Sequence, residues 1–489
     1  MRVVDCNDAV TSGAAVPLCI DLDGTLVKSD MLHEALLDVA KRRPRDLVST
    51  PFWLRDGKAA FKHRVTAICD LDVTRLPYRQ EILDLIRAAR AEGRPIILVT
   101  AAAPQIAHSI AAHLGLFDEV LCSDETTNLS ADAKARRLAE RFGQGGFDYA
   151  GNHHDDLPVW RASRNIIVVS RDHRLFRQAT RYGQSAHRIL DAGSRVALLK
   201  SLRPHQWLKN LLVFVPLVAG HELGNPALLL QAALAFVAFN LTASSIYIIN
   251  DLLDLKDDRA HRTKHRRPFA SGQVPIVTGL VTAALLLLAA SALALLLPPI
   301  FLAVLAGYLL MTSAYSFRLK RQVMVDVILL AALYTVRVIA GAAATLIVPS
   351  FWLLAFSMFV FFSLALVKRY TELLNSPASV RELPGRGYRR EDKAVLMPLG
   401  TASAMMSVLI LALYVNSPQV AATYQEPVWL WLLPPVMMYW SARLWMKTCR
   451  GEVHDDPVIF ALRDRQSLLL VLVLAPVLWA AQAGWQPWL

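Results

Sequence analysis

The chain has 489 residues, a net charge of +12 and a mean hydropathy of +0.36. That length exceeds one ordinary core, so two domains are expected. Its 54% hydrophobic content averages a mixed, charged half up to about Ser201 and an apolar half beyond Leu211. The basic excess lies in short connections between apolar runs, with no basic groove or RNA-binding signature, which argues against a nucleic-acid partner. Five cysteines without metal-ligand spacing exclude a disulfide framework and a zinc site.

The first stretch, Met1 to Ala15, has no long apolar run and does not read as a secretory signal, so the polar half is expected to stay in the cytoplasm. Residues 16–21 (VPLCID) then read as a buried strand running into Asp21-Leu22-Asp23-Gly24-Thr25. Further apolar runs end at Thr100, near Ser123 and at Asn152, and NIIVVS at 165–170 makes a fifth strand. Helical segments separate these runs, as in a parallel α/β sheet, whose ligands bind at the carboxyl ends of the strands. Residues 30–80, helical and carrying Trp53 and Phe61, predict a small cap.

The polar residues at those strand ends suit phosphoryl transfer. Asp21 can attack phosphorus as a carboxylate nucleophile, and Asp23 can protonate the leaving oxygen. Thr100 can donate to a phosphoryl oxygen, and Lys134 supplies positive charge. Asp21, Asp23, Asn152 and Asp156 are the candidate magnesium ligands. In this order, DxDGT, a strand-end threonine, a lysine and GNxxxD resemble the four signatures of the haloacid dehalogenase superfamily over about residues 15–190. The resemblance implies a Rossmann-like, magnesium-dependent phosphatase within residues 1–195. The last signature departs from the family pattern: Asn152 stands where its first acid is usual, with Asp155 nearby.

In residues 196–489, apolar stretches recur at about 207–220, 227–249, 275–297, 300–317, 324–347, 350–367, 394–415, 427–445 and 467–485. A crossing helix needs roughly twenty apolar residues, and all but the short first stretch qualify. Lys and Arg crowd the connections after the second, fourth, sixth and eighth stretches and are absent from the others. The positive-inside rule then requires nine helices, with the polar half inside and the C-terminus outside. Trp352, Trp429, Trp431 and Trp485 near stretch ends read as interfacial anchors.

The densest chemistry follows the second stretch: Asn250, Asp251, Asp254, Asp258, His261, Lys264 and Arg267. Spacings of three and four put Asn250, Asp254, Asp258 and His261 on one helix face, with Asp251 beside them. Hard oxygen ligands this close imply magnesium shared with substrate phosphates, which Lys264, Arg266 and Arg267 can also grip. NDxxDxxxD followed by KxxRPxxSG resembles the first signature of the UbiA-type intramembrane prenyltransferases, and Tyr315 to Lys320 resembles a later segment of that family. Nine all-α transmembrane helices are the count this resemblance implies.

Members that prenylate aromatic rings carry a second aspartate-rich stretch after the sixth helix. Here that loop begins Lys368-Arg369-Tyr370 and is mostly basic. Together with Arg203 to Asn210, which includes Lys209, it resembles decaprenyl-phosphate phosphoribosyltransferases. That branch implies transfer of 5-phosphoribose from phosphoribosyl diphosphate to a polyprenyl phosphate, with Asp251, Asp254 and Asp258 holding Mg2+ on the donor. Lys209, Asn210, Asn250, His261, Lys264, Arg267, Tyr315, Lys320, Lys368 and Arg369 would then contact substrate. Arg337, a charge inside an apolar run, marks a substrate path by default, with Asp326 as the alternative structural partner. The phosphatase would remove the 5-phosphate of the product. Two rival readings remain: prenyl transfer to an aromatic or other acceptor beside an unrelated phosphatase, and a catalytically silent soluble domain. A bacterial-type inner membrane is the expected location, and a homo-oligomer is compatible with the sequence.

Overall fold

The computed structural model describes residues 16–483, apart from 54, 56, 125–127, 182–184, 191–194, 377–381, 383–385 and 454–455. The stretch read as lacking a signal (1–15) and Trp485 lie outside the described residues. The chain forms two compact units: residues 1–202 with 247–282, and residues 203–246 with 283–489. The aspartate segment after the second apolar stretch therefore belongs to the same unit as the polar half.

The first unit is built on a six-stranded parallel sheet in the order β3-β2-β1-β4-β5-β6. The strands are β1 (Leu18–Ile20), β2 (Ile96–Val99), β3 (Glu119–Leu121), β4 (Asp148–Gly151), β5 (Asn165–Val169) and β6 (Ser185–Ile189). Successive side chains alternate between two cores: Leu18 and Ile20 face one with Ile96 and Leu98, and Cys19 faces the other with Tyr149 and Trp160. The sixth strand is absent from the sequence reading because SAHRI has no apolar run; it sits at an edge, half-exposed. In register, β1 lies between β2 and β4 (Leu18 opposite Ile96 and Asp148). Asp21 and Asn152 therefore follow neighbouring strands.

Three helices, α1 (Met31–Arg42), α2 (Pro44–Trp53) and α3 (Lys58–Ile68), form the predicted cap. Its small core joins Ala35, Val39, Phe61 and Val65, with Trp53 packed against it. Helix α1 starts where the Asp30 carboxylate accepts the Leu32 and His33 N–H groups, and ends on the basic pair Lys41 and Arg42.

In the second unit and the helix that leads out of it, seven helices among the described residues are long and apolar enough to cross a membrane. They are Pro226–Leu253, Ile276–Ala294, Pro299–Phe317, Val325–Thr345, Phe351–Leu374, Arg390–Val415 and Arg465–Ala483. The sequence led to nine. The first expected crossing is instead a 3-10 segment, Pro204–Phe214, followed by a five-residue helix, Val215–Ala219. The eighth is a short 3-10 turn followed by Leu433–Cys449, 17 residues long. Prolines at the start of each piece (Pro204, Pro216, Pro427, Pro434) remove N–H donors and divide what hydropathy alone reads as one span.

Candidate functional sites

At the carboxyl end of β1, the DxDGT loop is fixed by its own backbone and by a buried arginine. Gly24 takes a positive φ of 76°, and a Cβ there would overlap the Asn152 amide, so glycine is required. Arg79, 2% exposed, donates from Nε to the Thr25 carbonyl (3.1 Å) and from Nη2 to the Gly24 carbonyl (3.2 Å).

Four of the predicted residues converge on one chain of bonds. Lys134 Nζ donates to Asp21 Oδ1 (2.7 Å) and to the Tyr149 hydroxyl (2.9 Å). Tyr149 in turn donates to Asp156 Oδ1 (2.7 Å), while Asp156 Oδ2 accepts the Asn152 and His153 N–H groups (2.9 and 3.0 Å). Tyr149 was not singled out from the sequence; nothing there distinguishes a tyrosine that carries a polar link. Thr100 accepts the Ala102 N–H (2.9 Å), which leaves its hydroxyl proton to donate elsewhere. Asp155 faces away into solvent beside His153.

Asp23 stands apart, with Oδ1 accepting the Met31 N–H (2.7 Å) at the mouth of a cavity lined by Met31, Leu32, Lys62 and Thr66 of the cap. Burial is the largest influence on both aspartates. It raises Asp21 to about 6 against the pull of Lys134. Asp23 rises to about 8, with Asp30 and Asp21 adding to the effect of burial. One carboxyl is thus suited to be ionised and the other to carry a proton near neutral pH.

The helix Pro226–Leu253 ends just before Asp254, which takes a non-helical conformation before the short helix Leu255–Ala260. The predicted continuous face is therefore broken at Asp254. Backbone bonds from Asp254 to Asn250 (2.9 Å) and from Asp258 to Asp254 (2.8 Å) keep the four-residue spacing across the break. His261 falls at the end of the short helix, exposed, with Nδ1 turned onto the Thr263 N–H (3.3 Å). Arg267 Nη1 bridges Asp251 Oδ1 (3.1 Å) and Asp258 Oδ2 (2.7 Å). Burial raises the Asp258 carboxyl, against Arg267. Lys264 is exposed on the turn between them.

Among the described residues, no three carboxylates or imidazoles stand close enough to enclose a metal by themselves. One or two carboxylates completed by substrate phosphates is the usual magnesium arrangement, and both aspartate groups fit it by donor chemistry.

The second unit contains a buried polar cluster. Lys209 Nζ lies 2.7 Å and Lys368 Nζ 3.4 Å from the same Asp456 oxygen, Oδ2. The Tyr334 hydroxyl bonds both Asp456 oxygens (2.9 and 3.0 Å). One turn further along the helix, Arg337 Nε donates to Asn210 (2.7 Å), whose amide donates to Asn240 (2.5 Å). The Asn240 amide nitrogen itself is buried without a hydrogen-bond partner. Among the described residues, three cations against one carboxylate leave this cluster net positive. Asp456, Tyr334 and Asn240 were not singled out from sequence; Asp456 lies 88 residues beyond Lys368, and only the fold joins them.

Asp326 is not the partner of Arg337. It pairs with Arg369 (2.6 Å) and accepts from the Tyr388 hydroxyl (2.6 Å). Arg369 is fully buried and also pairs with Glu372, so its charge is held by two carboxylates. Tyr315 accepts from Arg386 (2.6 Å), and Lys320 sits half-buried in the turn Leu319–Arg321.

Comparison with known proteins finds two families along the chain. The UbiA prenyltransferase family matches residues 211–462, and the haloacid dehalogenase-like hydrolase family matches residues 18–161. An uncharacterized protein of Sinorhizobium fredii, y4nM, is 38% identical over 96% of this chain and 91% of its own length. The nodulation protein NoeC of Azorhizobium caulinodans is 35% identical over 56% of this chain and 90% of its own length. A decaprenyl-phosphate phosphoribosyltransferase of Mycobacterium tuberculosis is 33% identical over 59% of this chain and 93% of its own length. The chain belongs to the UbiA prenyltransferase family, as an integral membrane protein with an N-terminal haloacid dehalogenase-like domain.

Proposed function

We propose that the chain transfers 5-phosphoribose from phosphoribosyl diphosphate to a polyprenyl phosphate and then removes the 5-phosphate. The observation that carries this reading is the net positive cluster, among the described residues, of Lys209 and Lys368 on Asp456 with Arg337 one turn along the helix from Tyr334. Such a cluster suits a second phosphate group, where an aromatic acceptor would leave its charge unused. The relatives named as phosphoribosyltransferases support the same branch.

In the transfer step, a lipid phosphate oxygen attacks the anomeric carbon. The bond from that carbon to the diphosphate oxygen breaks, and diphosphate leaves with the electron pair. Magnesium held by Asp251, Asp254 and Asp258 would neutralise charge on the leaving diphosphate. Lys264 and Arg267 would contact the donor phosphates, and Lys209, Lys368 and Arg337 the lipid phosphate. Arg369 has a structural role in this account, because its partners already neutralise it.

In the second step, Asp21 attacks the 5-phosphate and Asp23 protonates the departing sugar oxygen. Water then cleaves the aspartyl-phosphate, with Asp23 as the base. Lys134 and Thr100 would meet the charge on the phosphoryl oxygens, and Asp21, Asn152 and Asp156 would hold magnesium, which supplies further positive charge there. The Asp23 side chain, which the sequence also offered as a magnesium ligand, serves in this scheme as acid and base. The distribution of Lys and Arg supports a phosphatase domain on the cytoplasmic side and a C-terminus on the other, with the two proline-divided stretches, 204–219 and 427–449, also crossing.

The test supplies detergent-solubilised protein with magnesium, polyprenyl phosphate and labelled phosphoribosyl diphosphate, with Asp21→Asn run beside wild type. The variant should accumulate a phosphorylated lipid-ribose, and wild type its dephosphorylated form. No label in lipid from either protein would sink the phosphoribosyl reading and favour prenyl transfer.

A further inference from the structure

Helix α1 touches two chemical centres of the first unit. At its start, the Met31 N–H holds Asp23 (2.7 Å), and Met31 and Leu32 line the phosphatase cavity. Still in its first turn, Glu34 makes a two-bond pair with Arg259 of the aspartate segment (2.6 and 3.0 Å). Both side chains are nearly buried, at 4% and 8% exposure. At its end, Lys41 Nζ lies 2.8 Å from Asp254 and 2.7 Å from Asp257. The span from Met31 to Lys41 is about 15 Å at 1.5 Å per residue. Two further contacts fasten the segment to the same domain. Lys256 pairs with Asp70 (2.8 Å), and a Cβ on Gly272 would stand 2.6 Å from Lys28 Cβ.

The two anchors differ in kind. Glu34 and Arg259 are shielded and bidentate, a fixed attachment. Lys41, with its side chain 28% exposed, pairs half-exposed Asp254 and exposed Asp257, an attachment that a competing cation can replace. Asp254 is one of the three carboxylates assigned to the donor's magnesium, whereas Asp251 and Asp258 share Arg267. The M. tuberculosis relative is matched over 93% of its length by 59% of this chain, so it has no length to spare for such a cap. The contact therefore belongs to the fused architecture and not to the transfer chemistry itself.

We propose that Lys41 is the resident counter-cation of Asp254, and that a divalent cation entering there displaces it. The displacement frees the end of α1, while Glu34 and Arg259 keep its first turn attached. Loading of the transferase segment is thus transmitted along one helix to the mouth of the phosphatase cavity, and the coupling is reciprocal. The proposal rests on the reading of Asp254 as a cation ligand.

The test titrates full-length protein with manganese, following free Mn2+ by electron paramagnetic resonance, and identifies the segment's site as the one lost in Asp254→Asn. Lys41→Met should bind Mn2+ there about fivefold more tightly than wild type, and Lys41→Arg as wild type does. Hydrogen exchange at residues 39–42 should quicken on adding Mn2+ to wild type, start fast in Lys41→Met, and not respond in Asp254→Asn. Equal or weaker binding by Lys41→Met, with the site present in wild type, overturns the role of Lys41 alone. If wild type and Asp254→Asn bind manganese identically, the cation reading of the segment falls, and the proposal with it.

Discussion

Asp21 and Asp23 are two residues apart and chemically identical, yet their surroundings separate their tasks. Asp21 is bonded to Lys134 and Thr25, so its carboxylate form keeps two donors (2.7 and 3.2 Å). Asp23 accepts from a backbone donor, the Met31 N–H, and feels the like charges of Asp30 and Asp21. With Asp21 near 6 and Asp23 near 8, the sign of the pH effect follows. The nucleophile must lose its proton, so phosphatase kcat/KM rises as pH passes about 6. The acid must keep its proton, so the rate falls above about 8. A profile on p-nitrophenyl phosphate, whose leaving group needs little protonation, should retain the lower limb and flatten the upper one. An upper limb equally steep on that ester and on an alkyl phosphate would remove Asp23 from the role of acid. The sequence marked Asp21 and Asp23 by a local pattern, and Thr100 and Lys134 by their order in the family resemblance. Tyr149, Arg79 and Asp456 were not legible, because each acts through a contact that only the folded chain provides.

At the scale of elements, hydropathy located the membrane helices well where a run is continuous and poorly where prolines divide it. The segment Pro204–Phe214 is held by packing as much as by its own propensity. Its neighbour, the helix Val325–Thr345, presents Gly341 to it, and a Cβ on that glycine would overlap the Val213 carbonyl oxygen. The Val213 oxygen belongs to backbone and cannot rotate aside as a side chain would. Gly341→Ala should therefore lower the unfolding midpoint in detergent, by a destabilisation of about 1–3 kcal/mol. Gly307→Ala, in the helix Pro299–Phe317, is the matched control, since nothing lies within 4 Å of its Cβ position. It should leave stability unchanged or raise it by up to about 1 kcal/mol, the helix-propensity difference. Equal loss in both variants would mean that the close approach at Gly341 is not what makes the substitution costly. The broken aspartate helix follows the same lesson. A period of three and four residues grouped Asn250, Asp254 and Asp258, and backbone bonds keep that spacing, but periodicity cannot report the non-helical conformation at Asp254.

On the scale of the whole molecule, the fusion matters if the product of one activity reaches the other before it diffuses away. The aspartate segment and the phosphatase carboxylates share one compact unit, joined through α1. The second site is then present at an effective concentration set by that fixed geometry, independent of how dilute the protein is. A mixture of two full-length variants separates this from simple co-occurrence. Asp21→Asn retains transfer and lacks dephosphorylation, and Asp254→Asn has the opposite defect. In the mixture, every lipid product must move between molecules. At high protein concentration, the mixture should form dephosphorylated lipid-ribose almost as wild type does. On dilution, it should develop a lag and accumulate the phosphorylated intermediate, whereas wild type should show neither. The comparison is internal, because both variants pass through the same micelles and the same magnesium. If wild type accumulates intermediate on dilution to the same extent as the mixture, the two domains work on a shared pool. The fusion would then serve to fix the ratio of the two activities, and the link through α1 would act on cation loading without handing over product.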